Sequence, residues 1–223
     1  MSTIDEVTAL IFDMDGVIVD STPTHTEAWR VYLDGYGLDT KDIADRMLGK
    51  HNDELVRAFF PAEKLTTESI YEHGLRKEAL YREMMSPVIG DKLVPGVRDF
   101  IFRNQHRPLA VATNAEPLNV DFILTATGLR SCFRVIVDGH QVAKPKPYPD
   151  IYLLAADMLR HGPEDCVVFE DSLTGVRAAR AAGAKVVGVA TTLTAFDDVD
   201  LTIRDFLDPK LELWLLELTV SRS

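Results

Sequence analysis

Five short runs, "TALIFD", "PLAVATN", "FRVIVDG", "CVVFED" and "KVVGVA", are rich in Val, Ile and Ala and lack the apolar–polar alternation of a half-exposed strand. A strand that is apolar at successive positions needs cover on both faces, which is the situation of a parallel sheet between two layers of helices. Most of the runs are separated by stretches with apolar residues three and four apart: "VRDFIFRNQH", "PLNVDFILTATG", "PDIYLLAADMLRHG" and "LTGVRAARAAG". Three of these close on a glycine, as helices do. Strand and helix in alternation predict an α/β fold with a doubly wound parallel sheet.

The interval from residue 20 to residue 90 breaks the rhythm. It holds no strand pattern and reads as successive amphipathic helices, "THTEAWRVYLDGYG", "NDELVRAFFP" and "TESIYEHGLRKEALYREMM". Its junctions, "VIVDSTP" and "SPVIGDKLVPG", carry the Pro and Gly of linkers. The expected organisation is an α/β core of residues 1–19 and 91–223 with an all-helical insertion of residues 20–90. At 223 residues and 46% hydrophobic content the chain has enough apolar surface for both. Phe59, Phe60 and "YREMM" lie at helical spacing and are expected to form the insertion's own core.

A net charge of -11, spread along the chain, repels nucleic acid and anionic membranes. A small anion still fits a pocket whose local potential is positive. Cys132 and Cys166 stand far apart in sequence, which suits two thiols in a reducing compartment better than a disulfide frame or a zinc site. The first residues, "MSTIDEV", are acidic where a signal peptide is basic, and the apolar run after them is too short to span a membrane. The expectation is a cytoplasmic protein, monomeric because so compact a plan needs no partner.

In such sheets ligands bind outside the carboxyl ends of the strands, and the polar clusters of this chain fall there. Asp13 and Asp15 follow the first run, Thr113 and Asn114 the second, and Glu170 and Asp171 a later one. Lys144 and Lys146 sit in the loop after "RVIVDG". Four carboxylates in one crevice either raise one another's pKa or hold a cation. Hard oxygen donors without His or Cys favour Mg²⁺ over zinc or copper. An EF-hand loop is excluded, since Val17 and Thr24 stand where acidic ligands belong.

"FDMDGVIVDS", "VATN", "KPYPDIY" and "VFEDSLTGVRAARAAG" resemble, in order, the four motifs of the haloacid dehalogenase superfamily, in the phosphatase and phosphomutase branch close to β-phosphoglucomutase. The resemblance implies a Rossmann-like core, a helical cap and a Mg²⁺ cofactor. It makes Asp13 the nucleophile that forms an aspartyl phosphate, and Asp15 the general acid and base, its backbone carbonyl also facing the metal. Asp171 is the implied metal ligand of the last motif, with Glu170 a weaker one. Thr113, Lys146 and the backbone around Asn114 and Ala115, at a helix start near Glu116 and Pro117, are implied to hold phosphate. Lys144 is expected outside the pocket. The acid at position 15 favours oxygen-linked phosphate esters, because dehalogenases and phosphonate hydrolases of the superfamily lack it.

His25 matches the cap-hinge histidine of the mutase branch. Asn52 stands where that branch has a phosphate-gripping arginine, and Glu83, beside Arg82, where it has a lysine. Lys50, His51 and Asn52 become the candidates for touching the far end of the substrate. The implied function is a Mg²⁺-dependent phosphatase of a small phosphorylated metabolite such as a sugar phosphate. The alternatives are a sugar phosphomutase and a non-catalytic protein that binds a phosphorylated metabolite.

Overall fold

A computed structural model describes residues 8–47 and 52–220. The chain divides into two compact units, Met1–Asp20 with Gly90–Ser223, and Ser21–Ile89. The second unit is helical, with α1 (Thr22–Asp34), α2 (Ile43–Met47), α3 (Asn52–Phe59) and α4 (Thr67–Met85). The first contains α5 (Val97–Arg103), α6 (Pro117–Ala126), α7 (Asp150–Leu159), α8 (Leu173–Ala182) and α9 (Pro209–Val220) around one sheet.

Among the described residues that sheet has six strands, β1 (Ala9–Phe12), β2 (Leu109–Ala112), β3 (Val135–Val137), β4 (Cys166–Glu170), β5 (Lys185–Val189) and β6 (Leu201–Ile203). Their order is β3-β2-β1-β4-β5-β6, and every pairing is parallel. The chain thus adds strands to one side of β1 and then returns to add β4, β5 and β6 on the other. The crevice of this doubly wound sheet opens where the order reverses, between β1 and β4. The edge strand β6 escapes the sequence reading because three residues, with Thr202 exposed, make no apolar run.

Both faces of the sheet are covered, which is why its strands are apolar throughout. On one face Ala9, Ile11, Ala110, Val168 and Val186 pack with Ile151 and Ala155 of α7 and Val176 and Ala179 of α8. On the other, Phe12 stacks on Phe169 with ring centroids 4.7 Å apart, and Phe100 and Phe206 close around the pair. Small alanines on the helix face let α7 and α8 approach, while the opposite face is filled by rings. Helix α8 stops at Gly183 in the left-handed conformation. Helix α7 stops on Arg160 in that conformation rather than on the glycine two residues later.

The helical unit has its own core of Trp29, Leu33, Ile43, Leu55, Val56, Phe59, Phe60 and Ile70. Helix α4 starts with a reciprocal cap, the Thr66 side chain accepting from the Ser69 amide and the Ser69 side chain from the Thr66 amide.

Replacing Phe169 by Ala removes one partner of the buried ring stack from the sheet centre. Chemical denaturation is expected to show a loss of about 3–5 kcal/mol. A loss below about 1 kcal/mol would mean that the ring cluster does not anchor this face.

Candidate active site

Strand register explains how residues distant in sequence come together. Phe12 pairs with Val111 on one side and Phe169 on the other, so Asp13 leaves the sheet beside Ala112 and Glu170. The Asp13 amide stays bonded to the Phe169 carbonyl, 3.0 Å away. Lys146 binds all three strand ends: its Nζ donates to Asp13 Oδ1 at 2.8 Å, the Ala112 carbonyl at 3.0 Å and Glu170 Oε1 at 2.6 Å. The ammonium is buried. Lys144 lies outside this cluster, exposed, with its Nζ over the Tyr148 ring.

Asp13, Glu170 and Asp171 are buried, and one carboxylate oxygen from each lies within 4.8 Å of the others. Three acids against one lysine leave the cluster short of positive charge. Burial pushes the Asp13 carboxyl up, Lys146 pulls it down, and Glu170 and Asp15 push it up again, to about 7. Asp171 is raised well above the carboxylate range by burial and by Glu170 and Asp13. Burial opposes the charge of Lys146, but Asp13 and Glu170 outweigh it and keep the ammonium protonated. A divalent cation would relieve this imbalance, and the hard oxygens suit such an ion.

The two acids of the last motif are held differently. Glu170 Oε1 accepts from Lys146 and from the Tyr152 hydroxyl at 2.6 Å, and Oε2 accepts from the Asp171 and Ser172 amides and the Ser172 hydroxyl at 3.0, 3.1 and 3.0 Å. Ser172 also caps α8, accepting from the Gly175 amide. Asp171 accepts a short bond from the Thr192 hydroxyl. Two glycines make room for these acids. A methyl on Gly16, at φ +76°, would lie 1.9 Å from Asp171 Oδ2, and one on Gly175 would lie 1.8 Å from Glu170 Oε1.

Asp15 is half-buried in the tight loop after β1, where its backbone bridges to Val19 and the amides of residues 17, 18 and 19 all donate to the Met14 carbonyl. Thr113 is buried at the end of β2, and its hydroxyl accepts from the Ala115 amide at 3.2 Å. A hydroxyl that accepts there still has its own proton to give. Asn114 accepts from the Lys146 amide at 3.3 Å, which ties the loop after β2 to the lysine loop. Ala115 is half-buried, and α6 begins two residues later at Pro117 with Glu116 as N-cap.

The helical unit assembles a second polar cluster. His25 Nδ1 and Lys77 Nζ are 2.8 Å apart, and Lys77 donates to Glu78 Oε1 at 2.8 Å. Asn52 Nδ2 donates to the same oxygen at 2.6 Å, and the His25 ring stacks on Tyr81. Lys50 and His51 lie outside the described residues. Glu83 is exposed, and the buried cation of α4 is Lys77 instead. Burial pushes Glu78 up, but the fields of Lys77 and His25 and the bonds from Lys77 and Asn52 prevail and hold it at about 2.

Sequence reasoning missed Lys77 and Glu78, Tyr152 and Thr192. Thr192 carried a usable signal, a polar residue just past the end of β5, by the rule that found Thr113. The others lie inside helices, where one register of the periodicity buries them and nothing in the local sequence marks them as polar contacts.

The haloacid dehalogenase-like hydrolase family matches residues 7–183. The chain belongs to the haloacid dehalogenase-like hydrolases. As a member of that enzyme family it is 37% identical to the fructose-1-phosphate phosphatase YqaB of Escherichia coli over 81% of this chain and 95% of that protein. It is 32% identical to the β-phosphoglucomutase of Bacillus subtilis over 92% of each. A solved structure titled as a haloacid dehalogenase hydrolase of family IA, variant 3, from Entamoeba histolytica superposes with a TM-score of 0.85 at 26% identity, over 96% of this chain and 99% of that one. The family's α/β core is thus present here. No helix among the described residues is long and apolar enough to cross a membrane.

A carboxyl held at about 2 in the fold and returning toward 4.5 on unfolding stabilises the fold fully above the higher value. That stabilisation is lost as pH falls toward 2. The thermal midpoint of Glu78→Gln is therefore expected to lie below that of the wild type at neutral pH, with the gap closing in acid. A gap that is constant across the acid range would remove the charge of Glu78 from the account.

Proposed function

We propose that the enzyme is a Mg²⁺-dependent phosphatase of a small phosphorylated sugar, working through an aspartyl phosphate on Asp13. The observation that carries this reading is the lysine-tethered Asp13 in a buried acid cluster with more negative than positive charge. The relatives named for a sugar phosphatase and a sugar phosphomutase support the substrate class. In this reading residues 1–19 and 91–223 are the catalytic core and residues 20–90 the cap, in a cytoplasmic monomer.

Asp13, Asp171 and the backbone carbonyl of Asp15 would hold the ion. When bound, it supplies positive charge that lets an anionic carboxylate meet an anionic phosphate. Asp13 attacks phosphorus, the ester oxygen–phosphorus bond breaks, and Asp15 gives its proton to the departing alkoxide. Asp15 then takes a proton from water as that water attacks the same phosphorus, and the bond from Asp13 to phosphorus breaks to release inorganic phosphate. Lys146 balances the charge on Asp13 and, with Thr113 and the amides of Asn114 and Ala115, faces the non-bridging oxygens.

The cap selects the leaving group. His25, Lys50, His51 and Asn52 are the candidates for touching the far end of the substrate, Lys50 and His51 lying outside the described residues. Asn52 and Glu83 stand where the mutase branch has a phosphate-gripping arginine and a lysine, which favours the phosphatase over the mutase.

Phosphate release from a panel of sugar monophosphates with Mg²⁺ tests the proposal. At least one member is expected to turn over without a bisphosphate primer. Asp13→Asn is expected to abolish that turnover, and Asp15→Ala to cost about a hundredfold or more on alkyl phosphates but far less on activated aryl phosphates. Retained hydrolysis in Asp13→Asn, or an absolute need for a bisphosphate, would contradict it.

A further inference from the structure

The first turn of α7 places a tyrosine where packing alone asks only for a ring. Tyr152 is 1% exposed, in the core between α7 and the sheet, among alanines, valines and Ile151. A phenol hydroxyl buried there costs free energy unless it is bonded. Its one hydrogen bond described here is the donation to Glu170 Oε1. That oxygen also receives Lys146, whose Nζ lies 4.8 Å from the centre of the Tyr152 ring.

Lys146 comes from a loop between β3 and α7, outside the strands. Its amide is tied to Asn114, and its ammonium is held by the groups it binds at the strand ends. With Lys146 and Tyr152 on one oxygen and the Asp171 amide, the Ser172 amide and the Ser172 hydroxyl on the other, the Glu170 carboxylate is immobilised by five donors. Its acceptor capacity is used up within the protein. Asp171, whose side chain receives Thr192 on one oxygen, is placed differently.

We propose that Tyr152 is a positioning residue for catalysis, acting through Glu170 to hold the Lys146 ammonium on Asp13, and that Glu170 serves as this clamp rather than as a direct metal ligand. The inference rests on the aspartyl-phosphate reading and deepens it. Tyr152 touches no reacting atom. Its hydroxyl fixes the carboxylate, the carboxylate fixes the ammonium, and the ammonium sets the direction of the nucleophile.

Tyr152→Phe keeps the ring and deletes the hydroxyl. It is expected to lower kcat by roughly tenfold with KM changed by less than about threefold, because an outlying partner of this kind acts on geometry and not on substrate binding. The double-mutant cycle with Lys146→Ala, measured by single turnover of an activated aryl phosphate, is the decisive readout. In the Lys146→Ala background, Tyr152→Phe is expected to have no further effect. Mn²⁺ affinity, measured by electron paramagnetic resonance without substrate, is expected to stay near wild type in Tyr152→Phe, to fall by roughly tenfold in Glu170→Gln as for an outlying partner, and to fall much further in Asp171→Asn. Wild-type kcat in Tyr152→Phe, an equal loss with and without Lys146, or Mn²⁺ binding lost as fully in Glu170→Gln as in Asp171→Asn would overturn the assignment. An inactive Asp13→Asn beside a fully active Tyr152→Phe removes only this inference, whereas an active Asp13→Asn removes the reading beneath it.

Discussion

The buried contact of Lys146 with Asp13 and Glu170 organises the catalytic unit. An ammonium taken out of water is costly unless its partners are close, and this one has two carboxylates and a carbonyl within 3.0 Å. The three acceptors belong to the ends of β2, β1 and β4, so the contact is possible only in a parallel sheet with this strand order and register. The fold and the site are in that sense one constraint. Residues from four separate segments meet because adjacent strands end at the same edge.

The cluster is also unfinished electrostatically. One lysine does not balance three buried acids, and Asp13 and Asp171 are held protonated more readily than ordinary carboxylates. A protein that buries this imbalance gives up stability, part of which a divalent cation at these acids would restore. The close approach is built in by glycine. Neither Gly16 nor Gly175 tolerates a side chain, because an acidic oxygen of the site already occupies the space.

Much of this was legible in the sequence. Runs without alternation implied a sheet covered on both sides, and polar residues after those runs marked its carboxyl edge. That rule picked out Asp13, Asp15, Thr113, Asn114, Glu170, Asp171 and the pair Lys144 and Lys146; the resemblance of "KPYPDIY" chose Lys146 from the pair, and the order of four motifs named the family. What could not be read is what depends on side chains meeting across elements. Tyr152 looks like any core aromatic on α7, and the partnership of Lys77 with Glu78, His25 and Asn52 joins three helices. Strand β6 was too short to register. Position 83 carries an exposed Glu, and the buried cation of α4 is Lys77.

The central claim is that the tethered carboxylate of Asp13 accepts a phosphoryl group. The most direct measurement is rapid acid quenching of the enzyme during turnover of a sugar phosphate with Mg²⁺, followed by mass spectrometry of its peptides. The account predicts one added phosphoryl group on the peptide that carries Asp13, labile to hydroxylamine as an acyl phosphate is. Turnover with that peptide never modified, or with the phosphoryl group on another residue, would contradict it.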